Sequence, residues 1–177
     1  ILIKNKVILK SLNLTILGCT LWSHIPMPHH GIFQKQFSDF KKIYFNQTLI
    51  TPQIINQIHQ EEVTWLSQEI IKHQKNNHNE NQSDLLIVTH HAPLIHGTCD
   101  PRFIPINPKN GYLDRCKYKN YSFSSDLSWM LCGSVKAWIF GHTHYKTNLQ
   151  HPSGTLIVQN HLGYINKLYN VDYIKTI

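Results

Sequence analysis

The 177-residue chain is poor in acid: ten Asp and Glu stand against seventeen Lys and Arg, a formal net charge of +7. Only two of those cations are arginines, Arg102 and Arg115, and the fifteen lysines are scattered singly or in pairs. A nucleic-acid surface is built on clustered, forked guanidinium groups. The positive balance therefore reads as the same compositional drift that gives 22 isoleucines and 15 asparagines. Cysteine is sparse too. Cys19, Cys99, Cys116 and Cys132 form no CxxC pair, which excludes a zinc ribbon or a dense disulfide scaffold and fits free thiols in a reducing compartment. No apolar run approaches the roughly 20 residues a membrane-spanning helix needs, and no signal peptide is visible. The chain opens Ile1-Leu2-Ile3 without a methionine, so the expectation is a start lost upstream, with cytoplasmic placement only a default.

What is present suffices for one domain with a real core: 41% hydrophobic residues and 15% charged. Residues 7–10 and 12–20 read as two β-segments around a turn at Ser11. Residues 22–31, with Pro26, Pro28 and Gly31, read as a loop. Thr51-Pro52 opens the clearest helix, Thr51 as N-cap and Pro52 at the first helical position. Ile54, Ile55, Ile58, Val63, Trp65, Leu66 and Ile70 then recur at helical spacing, predicting one face packed on a sheet. Residues 85–89 and 137–140 are short apolar runs of the buried-strand type, and 156–158 and 169–174 predict further strands. Between them, 95–124 is a long irregular stretch and 126–132 a short helix. The order β-α-β-loop-α-β-β predicts an α/β fold with a mixed sheet.

Two of the predicted strands end in histidine. Thr89-His90-His91 closes one and Gly141-His142-Thr143-His144 the other. Open α/β sheets present ligand groups at the carboxyl ends of their strands, and imidazole is the commonest neutral metal ligand. In an extended segment, residues two apart project to one side, so His142 and His144 could address one metal or two adjacent ones. A single His-x-His among thirteen histidines says little; two His-bearing strand ends say more. The competing reading is that these histidines cap strands. His24, His29 and His30, in the Pro-rich loop, could border the same site or lie exposed. Arg102, just beyond the His90 strand, is the candidate for gripping a substrate phosphate, with a solvated loop arginine as the alternative.

Thr89-His90-His91-Ala92-Pro93 followed by Gly141-His142-Thr143-His144 resembles the late motifs of the calcineurin-like metallophosphoesterases. A Ser/Thr-phosphatase-like branch is matched more closely, through residues 17–23, 96–102, 125–127 and 160–164 in this order. The resemblance implies a four-layer α/β/β/α fold, of which residues 1–177 would be an N-terminally truncated, mixed-sheet portion: a partial phosphoesterase domain. It also implies two divalent ions, Mn, Fe or Zn, with His90 and His142 on one and His144 on the other. His90 takes precedence over His91 because it stands next to the strand in the family pattern, leaving His91 in an outer role. The implied activity is metal-dependent hydrolysis of a phosphorylated substrate.

The family's early motifs, Asp-x-His, Gly-Asp and Gly-Asn-His, are not found. None of the six aspartates precedes a histidine by two or follows a glycine, and neither Asn77-His78 nor Asn160-His161 follows Gly. Two cations about 3.5–4 Å apart need a bridging carboxylate against their repulsion. Three neutral imidazoles supply none, so this chain alone is expected to hold at most one ion weakly, to be inactive, and to leave an apolar sheet face bare. A non-catalytic relic or interaction module that keeps the fold is the alternative, and a mononuclear zinc hydrolase a third reading.

Overall fold

The computed structural model describes residues 3–76, 83–104 and 117–161. Strand β1 (Asn5–Leu9) reaches β2 (Leu14–Cys19) through a tight helical turn, Lys10–Leu12, ended by Asn13 in the left-handed conformation at φ 49°. Asparagine tolerates that region through its short polar side chain. The turn at Ser11 is where the sequence predicts it, but Leu12 belongs to the turn and not to the strand.

Of the stretch predicted as a loop, residues 22–26 are irregular as expected, whereas 27–31 fold into helix. A turn at Met27–His29 leads into α1 (His30–Gln36), followed by α2 (Asp39–Lys42) and a small hairpin, β3 (Tyr44–Phe45) and β4 (Thr48–Leu49). Asn46 and Gln47 both have positive φ at the hairpin tip, which matches the twist of the flanking strands. The helices form because Phe33, Phe37 and Phe40 bury aromatic surface: Phe33 stacks on Phe37 at 4.4 Å and meets Phe40 edge-on.

Helix α3 (Pro52–Asn76) is capped by Thr51, whose Oγ1 accepts the Ile54 amide at 3.3 Å. Ile55, Val63, Leu66 and Ile70 are buried on its inner face, and Ile54, Ile58 and Trp65 are half-buried. The same face carries buried His59, Glu62, Glu69 and His73, polar interruptions of the expected apolar stripe.

The remaining strands are β5 (Asp84–Thr89), β6 (Val135–Ile139), β7 (Thr147–Gln150) and β8 (Leu156–Gln159). Together with β1 and β2 they form a six-stranded mixed sheet in the order β1-β2-β5-β6-β8-β7. The four central strands, β2, β5, β6 and β8, are parallel, and β1 and β7 are antiparallel edges. The protein is therefore a mixed α/β protein. One sheet face, with Leu17, Leu85, Ile87, Trp138 and Ile157, is buried in a core shared with Leu66 and Ile70 of α3. The other face shows Ile16, Leu86, Val88, Ile139 and Val158 half-buried, so the apolar runs of β5 and β6 are alternating strands with one face sealed.

One expected element differs and one is outside the description. Residues 126–132 contain only the turn Ser128–Met130, and the predicted strand at 169–174 lies outside the described residues. The long 95–124 segment holds the short helical turns Pro101–Phe103 and Lys117–Ser122. No helix among the described residues is long and apolar enough to cross a membrane.

Candidate metal centre

Parallel pairing aligns the carboxyl ends of β2, β5, β6 and β8, where side chains leave the core together. The register sets Cys19 beside Thr89, Val88 beside Ile139 and Ile139 beside Val158. Within one to five residues beyond these ends, the chain delivers Ser23 after β2, His90 and His91 after β5, His142 and His144 after β6, and His161 after β8.

Each exit is pinned by hydrogen bonds. The Thr20 carbonyl accepts the amides of both His90 and His91, each at 3.1 Å, and the His90 carbonyl accepts the Gly141 amide at 3.0 Å. The Trp138 indole donates to Thr89 Oγ1 at 2.9 Å, and that hydroxyl donates to the His91 carbonyl at 2.7 Å. Beyond β6 the chain does not stay extended. His142 and His144 both take left-handed φ, 64° and 49°, so the same-side rule for residues two apart does not apply to them. Gln159 holds this turn from β8. Its amide, oriented to satisfy its neighbours, donates to Thr143 Oγ1 (2.6 Å) and the Gly141 carbonyl (3.2 Å) and accepts the His144 amide (3.1 Å).

Ligand nitrogens of His90, His91 and His142 lie within 4.8 Å of one another. His90 Nε2 and His142 Nδ1 are 2.9 Å apart, and the His91 and His142 rings stack with centroids 4.3 Å apart. Proton placement follows from the acceptors. The Ser122 carbonyl, 3.1 Å from His142 Nε2, can only accept, so Nε2 carries the proton and Nδ1 keeps its lone pair. His90 Nε2 then donates to His142 Nδ1. His91 Nδ1 pairs with Ser23 Oγ at 2.8 Å, leaving Nε2 for the cluster. Segment 122–125 is placed for this role because the Phe123 carbonyl accepts the Ala92 amide at 3.0 Å.

Burial, then the mutual repulsion of neighbouring imidazoles, keeps the cluster neutral. It lowers His90, holds fully enclosed His91 well below the ordinary range, and brings His142 down to about 4. Asp39 pulls His90 slightly the other way. Neutral imidazoles are what a metal requires. A tetrahedral zinc ion with Zn–N of about 2.0–2.1 Å places its nitrogens roughly 3.3 Å apart, so the His90–His142 pair needs to open by a few tenths of an ångström and the His90 proton to move from Nε2 to Nδ1. The donor set fits one such ion. No Asp or Glu among the described residues joins the group.

Of the sequence candidates, the structure brings His90 and His142 together and adds His91, buried and not peripheral. His144 lies outside this group, stacked on His161 with ring centroids 5.5 Å apart. His144, His161, Lys146 and Arg102 border an adjoining open cleft of roughly 560 Å³. Arg102 is clamped by Asp100, which accepts from its Nη2 at 2.6 Å and from its backbone amide at 2.9 Å. That contact holds the Asp100 carboxyl below its usual range. His30 Nε2 binds the Ile25 carbonyl at 2.9 Å, His29 stacks on Tyr118 and Tyr121, and the His24 amide donates to Ser125 Oγ at 3.0 Å. These three are scaffold contacts around the cluster. Ser23, Glu62, Ser122 and Gln159 carry no sequence signal, since each acts through a neighbour's backbone or ring.

No family model matches the chain, and no solved structure matches it. It is similar to an uncharacterized protein of Acanthamoeba polyphaga mimivirus, 31% identical over 180 residues. The match covers 96% of this chain and 57% of the viral protein, so the chain spans little more than half the length of that relative.

Proposed function

We propose that this chain carries the histidine half of a metallophosphoesterase centre, as part of a four-layer phosphoesterase fold. His90, His142 and His91 hold one divalent ion, Zn, Mn or Fe, and His144 faces the position of a second. The observation that carries the reading is the His90–His142 pair at 2.9 Å, with the Ser122 carbonyl fixing the His142 tautomer. An outer partner of this kind is typical of ligating histidines. A bound divalent ion supplies Lewis-acid polarisation of a phosphoryl oxygen. The chain's own residues orient: Arg102, braced by Asp100, presents a cation at the cleft mouth for a substrate phosphate, and half-buried Trp22 packs against the buried His91 ring behind the cluster.

Among the described residues no carboxylate joins the cluster to complete a two-metal centre, so the chain alone binds metal without turnover. Zinc and manganese titration of chelator-treated protein tests this, alongside hydrolysis of phosphomonoester and phosphodiester probes. About one equivalent of zinc, lost in His142→Ala and His90→Ala, is the expected result. Binding below one equivalent, or binding that survives both substitutions, overturns it. The second reading, a non-catalytic interaction module, is favoured by the lack of a carboxylate in the cluster among the described residues. It predicts no turnover even after the chain is joined to a segment supplying Asp-x-His, Gly-Asp and Gly-Asn-His.

A further inference from the structure

Behind the cluster, two of the buried polar side chains on the inner face of α3 are His59 and Glu62, 7% and 3% exposed. Both point at the turn leaving β2. Glu62 Oε1 accepts the Thr20 amide at 3.1 Å, and Oε2 accepts the Trp22 amide at 3.0 Å. His59 Nδ1 donates to the Trp22 carbonyl. Between the two gripped amides lies Leu21, fully buried and at φ 55°. A non-glycine residue in that region is strained and persists only where its surroundings over-determine it. A left-handed residue also curls successive N–H groups into a hollow that fits an anion, and the Glu62 carboxylate fills this one.

The same turn holds the metal candidates. Thr20 gives its amide to Glu62 and its carbonyl to the amides of His90 and His91. One residue beyond Trp22, Ser23 Oγ meets His91 Nδ1. Every fixed point of His90 and His91 on the β2 side therefore traces back to a segment clamped from α3.

We infer that Glu62 and His59 are positioning residues for the histidine cluster, acting through the 20–23 turn on the backbone of His90 and His91 and on the ring of His91. Neither touches the ligand nitrogens. Glu62 is suited to the task because one carboxylate accepts two amides at once. An isosteric carboxamide accepts one and turns an NH2 group on the other. Loss of that grip leaves a buried amide without an acceptor and Leu21 without its support, so the Thr20 carbonyl drifts and the imidazoles lose their common aim. Outer partners of metal-binding histidines set affinity in this way.

The inference rests on the metal reading for its consequence but not for its geometry, and two measurements separate them. In the 177-residue chain, amide hydrogen exchange of His90 and His91 is compared with that of Leu86 and Ile87 within β5, and zinc affinity is measured by competition with a chromophoric chelator. Glu62→Gln is expected to speed exchange at His90 and His91 about tenfold relative to the β5 interior and to weaken zinc about 10–100-fold. Glu69→Gln, on the same helix face but bonded to Lys6 and Lys72, is expected to lower the melting temperature and change neither readout. A folded Glu62→Gln with wild-type exchange at His90 and His91 overturns the inference. Wild-type protein that takes up no zinc refutes the metal reading, while the exchange comparison still decides the role of Glu62. Should Glu62→Gln not fold, His59→Leu removes a single contact to the same turn and is judged by the same two outcomes.

Discussion

The neutral cluster makes folding stability depend on pH in a direction that can be fixed in advance. Burial, then the imidazole of His90 and to a lesser extent that of His144, bring His142 down from 6.5 to about 4, against an opposing pull from the Ser122 carbonyl. An unfolded chain takes up that proton as pH falls through about 6.5, whereas the folded chain does so only near 4. Between those values the unfolded state holds more protons, so stability falls as pH falls and is fully present only above about 6.5. The span corresponds to about 3 kcal/mol for this one group, or about 2–3 kcal/mol once the solvent-reached side of the half-buried ring is discounted. The assay is urea unfolding of chelator-treated protein, wild type against His142→Gln, at intervals from pH 7.5 to pH 4. Comparison with the variant matters because other groups titrate in the same window. His91 is held far down by burial and adds to the slope, whereas burial raises Glu62 and works the opposite way. The wild-type curve is expected to lose about 2–3 kcal/mol more than the variant between pH 7 and pH 4. Parallel curves would refute the claim that the His142 ring is enclosed among other imidazoles.

Two substitutions test the packing that aims the cluster. Gln159→Leu fills the same buried space but removes the amide that serves the Thr143 hydroxyl, the Gly141 carbonyl and the His144 N–H, leaving the carbonyl only the Thr143 amide at 2.7 Å; a loss of about 1–3 kcal/mol in urea unfolding is expected, together with weaker zinc binding, and unchanged stability would mean that the 141–144 turn holds itself. Leu66→Ala removes a fully buried side chain where α3 meets the sheet and should cost about 2–5 kcal/mol; an unchanged urea midpoint would show that the helix does not pack there.

The fold was legible where local chemistry and long-range packing agree. Thr51-Pro52 marks a helix start by capping and fixed φ alone, and the helix begins there. The apolar runs of β5 and β6 name strands because only pairing on both sides satisfies so much buried backbone. The helices α1 and α2 were obscured by proline, although Pro28 sits where a helical turn tolerates it. Their signal was aromatic: Phe33, Phe37 and Phe40 at helical spacing, with Phe33 stacked on Phe37 and edge-on to Phe40. Strand β7 had no comparable mark. Three of its four residues are exposed, and it is a strand because β8 offers it an edge.

The site was legible by residue type and not by geometry. Histidines after two buried strands pointed to the carboxyl edge of the sheet, where His90, His91 and His142 cluster, but the choice among them depended on features that spacing does not encode. Whether His90 or His91 faces a metal was posed as a choice, and the structure makes both available because Ser23 takes the far side of the His91 ring. Reading His142 and His144 as neighbours on one side assumed extended backbone, and two left-handed residues in a row of four redirect them. Glu62 was harder still. On a helical wheel it is a charge intruding on an apolar stripe, and its partners are backbone amides forty residues away in sequence. A buried carboxylate persists only with hydrogen bonds enough to offset its desolvation. In a stripe of Ile, Val and Leu, an acid that cannot reach solvent therefore marks a backbone turn that needs holding, and here that turn carries both β5 histidines.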